Sequence, residues 1–287
     1  MNLYFYNYWH NGDIHYSREF VKDIISKTNF DNYFYAHNNK FGLLKDIEKL
    51  TEIKFETIGN TELNTLNIFD KNNDVYINTW IGQLKMKYIG FGINVHSNYM
   101  IYKDIYRQLN ISMNDVKTYI PKINFDVINK QPIDSFFEDR KKNVLICNGK
   151  LCSNQSTPQP FEPFIMDLSE KFSTFNFIFT DNTNKIDREN IFYTDDIIGL
   201  NTTIVTDLNE ISYLSTFCDV IIGKESGPFA FSTIEDNMNG NKTFINFCDR
   251  KDWCWDPYAT CQYEWSNNYN LNVMYDLIKK TINKYEN

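Results

Sequence analysis

Most of the signals that quickly assign a chain to a class are missing here. No stretch approaches the ~18 consecutive apolar residues of a membrane-spanning helix. The opening MNLYFYNYW has neither a basic start nor a small-residue cleavage site, so no signal peptide is expected and the expected location is cytoplasmic. Basic charge is in the minority, with 29 Lys and Arg against 37 Asp and Glu and a net charge of −8. That balance gives no general attraction to polyanions, and nucleic acid is not an expected partner. The six cysteines fall between Cys147 and Cys261 and contain no CxxC pair, and none of the four histidines lies beyond His96. A zinc site needs tighter pairs or a neighbouring histidine, so no metal is expected and the thiols read as buried and free. GxGxxG is also lacking: IGFGIN (89–94) has no third glycine and no helix pattern after it, which argues against a dehydrogenase.

What is present is a chain of 287 residues, 42% apolar and 16% aromatic, long enough for two domains with sizeable cores. Short apolar runs alternate with helical patterns, the signature of α/β layers on parallel strands. In the first half, strands are expected at 2–8, 32–37, 53–59 and 74–82, with helices at 17–28, 41–50 and 98–111. The stretch 120–140 carries two prolines and little periodicity and reads as a connector. The pattern then restarts with a strand at 143–149, a helix near 163–173, and strands at 175–180 and 190–194. A helix at 207–217 is expected to be capped by Asp207 with Glu210 three residues on. A strand, turn and helix occupy 218–237, KTFINFC (242–248) reads as the last strand, and 272–285 as a terminal helix. The domains expected are 1–130 and 131–287, each Rossmann-like.

Three stretches could carry chemistry. In DVIIGKESGPFAFS a buried strand ends at Gly223, and Ser226-Gly227-Pro228 opens a helix, Pro228 suiting its first turn and Ser226 its N-cap. Free N–H groups there could bind an anion at the carboxyl end of a parallel strand, with Glu225 beside it for ribose hydroxyls. The same three residues equally suit a plain helix cap. The second stretch is the loop after NVLICNG, where Gly149, Lys150, Ser153 and Ser156 could meet a phosphate, or form an ordinary solvated loop. The third is WHNGDIHYS, after the first strand, where Asp13, His10 or His15 could accept a proton from an attacking hydroxyl. A surface or packing role for each histidine, and a helix-entry role for Asp13, fit the residues as well. The aromatic run 249–265, with Trp253, Trp255, Tyr258 and Trp265, could stack on a base or sugar, but sealing the terminal helix is the favoured reading.

Together these pieces resemble the GT-B glycosyltransferases, in particular the heptosyltransferase-like glycosyltransferase family 9, which transfers sugars from nucleotide-activated donors. NGDIHYSREFVKDI (11–24) resembles that family's first strand–loop–helix, where a Gly-Asp pair precedes the helix and the Asp is the catalytic base; here the pair is Gly12-Asp13. VIIGKESGPFAFSTIE (220–235) resembles its donor motif, an acidic residue, a Ser or Thr and a Gly opening a helix at the donor diphosphate; here these are Glu225, Ser226 and Gly227. The departures are Glu rather than Asp at 225, Phe229 and Phe231 where a His usually follows, and a loose match of Lys150 to the usual basic residue. The resemblance implies two Rossmann-like domains facing each other across a cleft, an acceptor-side domain before a donor-binding one. It implies an inverting, metal-independent transfer from a nucleotide-sugar to a glycan or lipid-linked acceptor, with Asp13 as base, His10 and His15 in support, and Gly149, Lys150, Glu225, Ser226, Gly227 and Pro228 at the donor. No cofactor beyond the donor substrate is implied, and no DxD metal motif follows a strand. A nucleotide-sugar epimerase of the same fold and a non-catalytic nucleotide- or sugar-binding protein are the rival readings.

Overall fold

The first apolar run forms β1 (Asn2–Tyr6), with Leu3 and Phe5 fully buried on one face and Tyr4 and Tyr6 on the other. The computed structural model describes residues 1–8, 10–59, 66–80, 94–139, 141–149, 160–200, 202, 205–249 and 256–286. After β1 the chain enters α1 (Asn11–Lys27), which starts six residues before the helix expected at 17. The reason is burial. Residues 13 to 18 of α1 are all buried, so its first half shows no apolar stripe against a polar one, and its polar residues read as a loop. Further along, the Phe20 ring stacks on Tyr102 and Tyr119 at 4.3 and 4.2 Å.

β2 (Asn32–His37) and β3 (Leu50–Lys54) follow, but the helix expected at 41–50 does not form. Its opening N–H groups go elsewhere: the Glu52 carboxylate accepts from the backbone of Gly42, Leu43 and Leu44 at 3.1, 3.2 and 2.9 Å. Gly42 and Lys49 both take positive φ, which breaks a helix at either end. The fully buried Arg18 of α1 holds the same segment, bonding Asp46 and the Leu43 carbonyl. β4 (Ile68–Lys71) and β5 (Asp74–Asn78) form a hairpin turned by Asn72 and Asn73, at φ 54 and 66°. The β4 arm was not expected from the sequence. α2 (Val95–Gln108) is capped by Asn94, whose side chain accepts from Ser97 N at 2.8 Å. The first sheet runs β3-β2-β1-β5-β4, parallel except for β4.

The second sheet contains β6 (Lys142–Cys147), β7 (Phe175–Phe179), β8 (Ile191–Tyr193), β9 (Val220–Gly223), β10 (Thr243–Phe247) and β11 (Gln262–Ser266). Its order is β11-β10-β9-β6-β7-β8, with every pairing parallel. α3 (Gln131–Phe136) precedes it, and between its strands lie α4 (Glu162–Lys171), α5 (Thr194–Ile198), α6 (Leu208–Ser215), α7 (Gly227–Ser232) and α8 (Glu235–Met238); α9 (Leu271–Asn283) ends the chain. Phe164, Ile165 and Leu168 of α4 and Met274, Ile278 and Ile282 of α9 share one core with Val144, Ile146, Val220 and Ile222. On the opposite face Phe229 of α7 meets Phe244 edge-on at 5.8 Å. Asp207 occupies the N-cap position of α6 without a side-chain cap bond, so the expected capping box is not made. KTFINFC is not the last strand. β11 follows it, a half-exposed edge strand whose Trp265 donates to the Cys248 carbonyl at 3.0 Å.

Two compact units result: Met1–Val127 with Thr203–Thr206 and Asp252–Tyr258, and Ile128–Thr202 with Asp207–Lys251 and Ala259–Asn287. In each, the strand order reverses once, between β1 and β5 in the first and between β6 and β9 in the second. Open α/β sheets bind ligands at the carboxyl ends of the strands beside such a reversal.

Candidate functional site

At the carboxyl end of β1, polar side chains organise the exit from the sheet. The Asn7 side chain accepts from His10 N at 3.2 Å, and that of Asn78, at the end of β5, accepts from Trp80 N at 2.9 Å. Thr79 Oγ1 bonds the Tyr6 carbonyl at 3.0 Å and the Tyr35 hydroxyl at 2.6 Å, and that hydroxyl lies 3.1 Å from Ser17 Oγ of α1. Into this corner the first turn of α1 brings Asp13, only 1% exposed. Burial raises the Tyr35 phenol well above its usual pKa, and the charges of Asp13 and Glu52 add to the shift. The Asp13 carboxylate therefore acts on the same buried hydroxyl network.

His10 sits half-buried at the N-cap position of α1, its ring 6.4 Å from that of Trp80, which also neighbours Tyr8 at 6.2 Å. Three residues before Asp13, it lies on the same side of the helix start. His15 is fully buried with its ring 5.5 Å from Tyr16, and a two-residue offset puts it on another side of the helix from Asp13. Helix spacing thus sets Asp13 and His15 on different sides of α1, with His10 at the N-cap position three residues before Asp13.

In the second unit, Cys147 at the end of β6 is in register with Gly223 at the end of β9. Gly223 is required by packing: a Cβ there would sit 2.4 Å from Phe229 Cδ2 and 3.1 Å from Cys147 Cβ. Past it the chain turns through Lys224 and the half-buried Glu225 to Ser226, whose N–H donates to the Lys224 carbonyl at 2.6 Å. Ser226 takes the N-cap position of α7 with an extended backbone, but its hydroxyl makes no cap bond. Instead Oγ is buried and has no hydrogen-bond partner among the described residues. Gly227 and Pro228 begin α7, and a Cβ on Gly149 would lie 3.9 Å from Pro228 Cγ, so the two expected donor segments meet. Lys150, Ser153 and Ser156 lie outside the described residues, as do Trp253 and Trp255. Tyr258 belongs to the first unit, where its hydroxyl lies 3.2 Å from His96 Nδ1.

Sequence reasoning passed over Lys224. Its side chain is 6% exposed and its ammonium lies 5.0 Å from the Phe161 ring centre. Burial lowers its pKa, partly offset by the Glu162 carboxylate. The available signal was strand alternation: Val220, Ile222 and Lys224 lie on one face, so the lysine continues a core row.

No family model matches the sequence, and no curated protein sequence does. Solved structures match along nearly its whole length. E. coli heptosyltransferase WaaC with ADP is 7% identical, with 98% of this chain and 99% of that one covered at a TM-score of 0.56. This is the heptosyltransferase fold. Glycosyl transferase family 9 from Veillonella parvula, 11% identical, shares it over 98% of this chain and 88% of its own, at a TM-score of 0.53. E. coli ADP-heptose lps heptosyltransferase II, 9% identical, shares it over 100% of both chains at 0.51. Chains so distant in sequence are alike in fold, and the heptosyltransferase fold is the α/β, GT-B architecture expected from the two resembling stretches.

Proposed function

We propose that the protein is a nucleotide-sugar-dependent glycosyltransferase that transfers with inversion and without a metal to a hydroxyl of a glycan or lipid-linked acceptor. The observation that carries this reading is the buried Asp13 carboxylate in the first turn of α1, beside the strand-order reversal, on a fold shared with heptosyltransferases. In this scheme Asp13 accepts the acceptor hydroxyl's proton as its oxygen bonds the anomeric carbon. The bond from that carbon to the donor phosphate breaks on the opposite face, and the nucleoside diphosphate leaves with the electron pair. His10 supports the acceptor side and His15 contributes through packing.

The donor diphosphate sits at the ends of β6 and β9, on Gly149, Ser226, Gly227 and Pro228, with Glu225 toward the ribose; Lys150, expected there from the sequence, lies outside the described residues. The buried Ser226 hydroxyl, which bonds nothing among the described residues, supports that placement. ADP and ADP-heptose appear in the names of two structures with this fold, so ADP-sugars are the first donors to try.

The test is nucleoside diphosphate release from a panel of nucleotide-sugars, with and without saccharide acceptors and with a chelator present. The expected result is release that requires an acceptor and is insensitive to the chelator, with the product anomer inverted by NMR. Conversion of the donor to an isomer without acceptor would replace transfer with epimerisation. Binding of no nucleotide-sugar at all would remove the reading.

A further inference from the structure

Two tryptophans, Trp80 and Trp265, fall among the described residues, and they are held differently. The Trp265 indole donates to the Cys248 carbonyl at 3.0 Å, which ties that ring into the edge of the second sheet. The Trp80 indole N–H is buried and meets no hydrogen-bond partner among the described residues. Its backbone is fixed instead, the N–H donating to the Asn78 side chain at 2.9 Å. Tyr8 and Trp80 lie two residues past β1 and β5, the strands between which the order reverses. Their rings stack at 6.2 Å and 28°, and the His10 ring stands 6.4 Å from Trp80 at 57°. Phe55, just after β3, meets Tyr8 edge-on at 5.0 Å. All four side chains are half-buried, whereas the rings deeper in this sheet, Phe5 and Tyr35, are fully buried. An aromatic cluster left half open at the carboxyl edge of an α/β sheet offers a surface to the apolar face of a ligand ring.

The cluster adjoins the proposed proton acceptor from two directions. Trp80 follows Thr79, whose Oγ1 is 2.6 Å from the Tyr35 hydroxyl on which the Asp13 charge acts. His10, beside the indole, is three residues before Asp13 at the start of α1. A hydroxyl brought to Asp13 is therefore carried by a group that also lies against this edge. A pyranose meets both demands, because its C–H face packs on an aromatic ring while its hydroxyls project around the rim. We propose that Trp80, backed by Tyr8, is the acceptor platform of this protein, the ring on which a pyranose of the acceptor stacks while one of its hydroxyls reaches Asp13. This rests on the transfer reading above and narrows the acceptor to one held by a sugar ring.

NMR of protein carrying isotope-labelled tryptophan tests it, the Trp80 indole resonance being assigned by its absence from Trp80→Phe. The probes are methyl β-D-glucopyranoside, methyl β-D-galactopyranoside, methyl α-D-mannopyranoside and, as an apolar ring with a single hydroxyl, cyclohexanol. The expected result is a saturable shift of the Trp80 resonance with at least one pyranoside and none with cyclohexanol. Pyranoside affinity is expected to be about three- to tenfold weaker in Trp80→Ala, as for loss of an aromatic contact, with Trp80→Phe close to wild type. A Trp80 resonance unmoved by every pyranoside overturns the assignment, as does an equal shift with cyclohexanol. Should Trp80→Ala not fold, the wild-type resonance and Trp80→Phe decide. Titration of nucleoside diphosphates and nucleotide-sugars into the same sample reads the donor side separately. Donor binding with an unmoved Trp80 leaves the transfer reading standing without this platform, and absence of donor binding removes both.

Discussion

At the end of β1 the chain passes through Asn7 and His10 into a 17-residue helix whose first turn holds a buried carboxylate. At the end of β9 it passes through Lys224 and Ser226 into a six-residue helix that opens with glycine and proline. Both turns leave a central parallel strand beside a reversal of strand order. One supplies a buried carboxylate; the other supplies small residues, a hydroxyl that bonds no described residue and a buried lysine. The same backbone device is thus furnished for opposite charges, so fold alone does not say what either edge binds.

The contrast is sharpest in chemistry. Asp13→Asn removes the proposed proton acceptor with almost no change of shape, and on that proposal transfer is expected to fall about 10²–10⁴-fold with diphosphate binding intact. Rate and calorimetric measurements on the same preparation check this, and full activity in Asp13→Asn would dissolve the division of labour. Next in size is a stability effect confined to the first unit. Arg18→Met leaves Asp46 buried without its guanidinium and is expected to cost about 3–5 kcal/mol in chemical denaturation. Asp46 also sets a pH dependence. Burial works to raise its carboxyl, but Arg18 and Lys22 outweigh it and hold the group below the usual range. Its contribution is therefore fully present above the ordinary carboxylate pKa and is lost as pH falls through the lowered value. In Arg18→Met the acid limb of the stability curve should lose that component.

A smaller effect is expected at the second edge. Gly223→Ala drives a methyl into Phe229 and Cys147, costs about 1–3 kcal/mol of stability, and weakens diphosphate binding by displacing α7. Thermal denaturation and titration read both. An unaltered Gly223→Ala protein would mean that α7 does not depend on this contact. Smallest is Ser226→Ala, expected to weaken diphosphate binding about three- to tenfold while leaving the melting temperature unchanged, because Oγ bonds no described residue. A drop in melting temperature would instead make the hydroxyl a structural one.

Much of this layout is legible in the residues. FNFIF, VIIG and TFINF are unbroken apolar runs between turn residues, and such runs form the buried parallel strands β7, β9 and β10. Ser226-Gly227-Pro228 announced the start of α7, whereas Gly12-Asp13, expected ahead of the first helix, lies inside α1. The misreadings share a cause, which is that tertiary partners took over local preferences. The first half of α1 is polar yet buried on every side, so periodicity could not reveal it. Residues 42–49 have a helical pattern, but Glu52 claims the N–H groups that a helix would need. β11 is a half-exposed edge strand whose Trp265 suggested a seal. Lys224 was hidden because a lysine after a strand ordinarily means solvent.

The segment that returns to the first unit after β10 has a consequence for synthesis. Asp256, fully buried, accepts from Tyr258 N at 2.9 Å and faces the backbone N–H of Val95 at the start of α2. On the ribosome, every strand of the first sheet has emerged before the second sheet begins. Asp256 arrives only when most of the second sheet has been made. The first unit must therefore wait until residues beyond β10 are made before the backbone N–H of Val95 meets this carboxylate, and a fragment ending at Val127 keeps only the Asn94 cap at the start of α2.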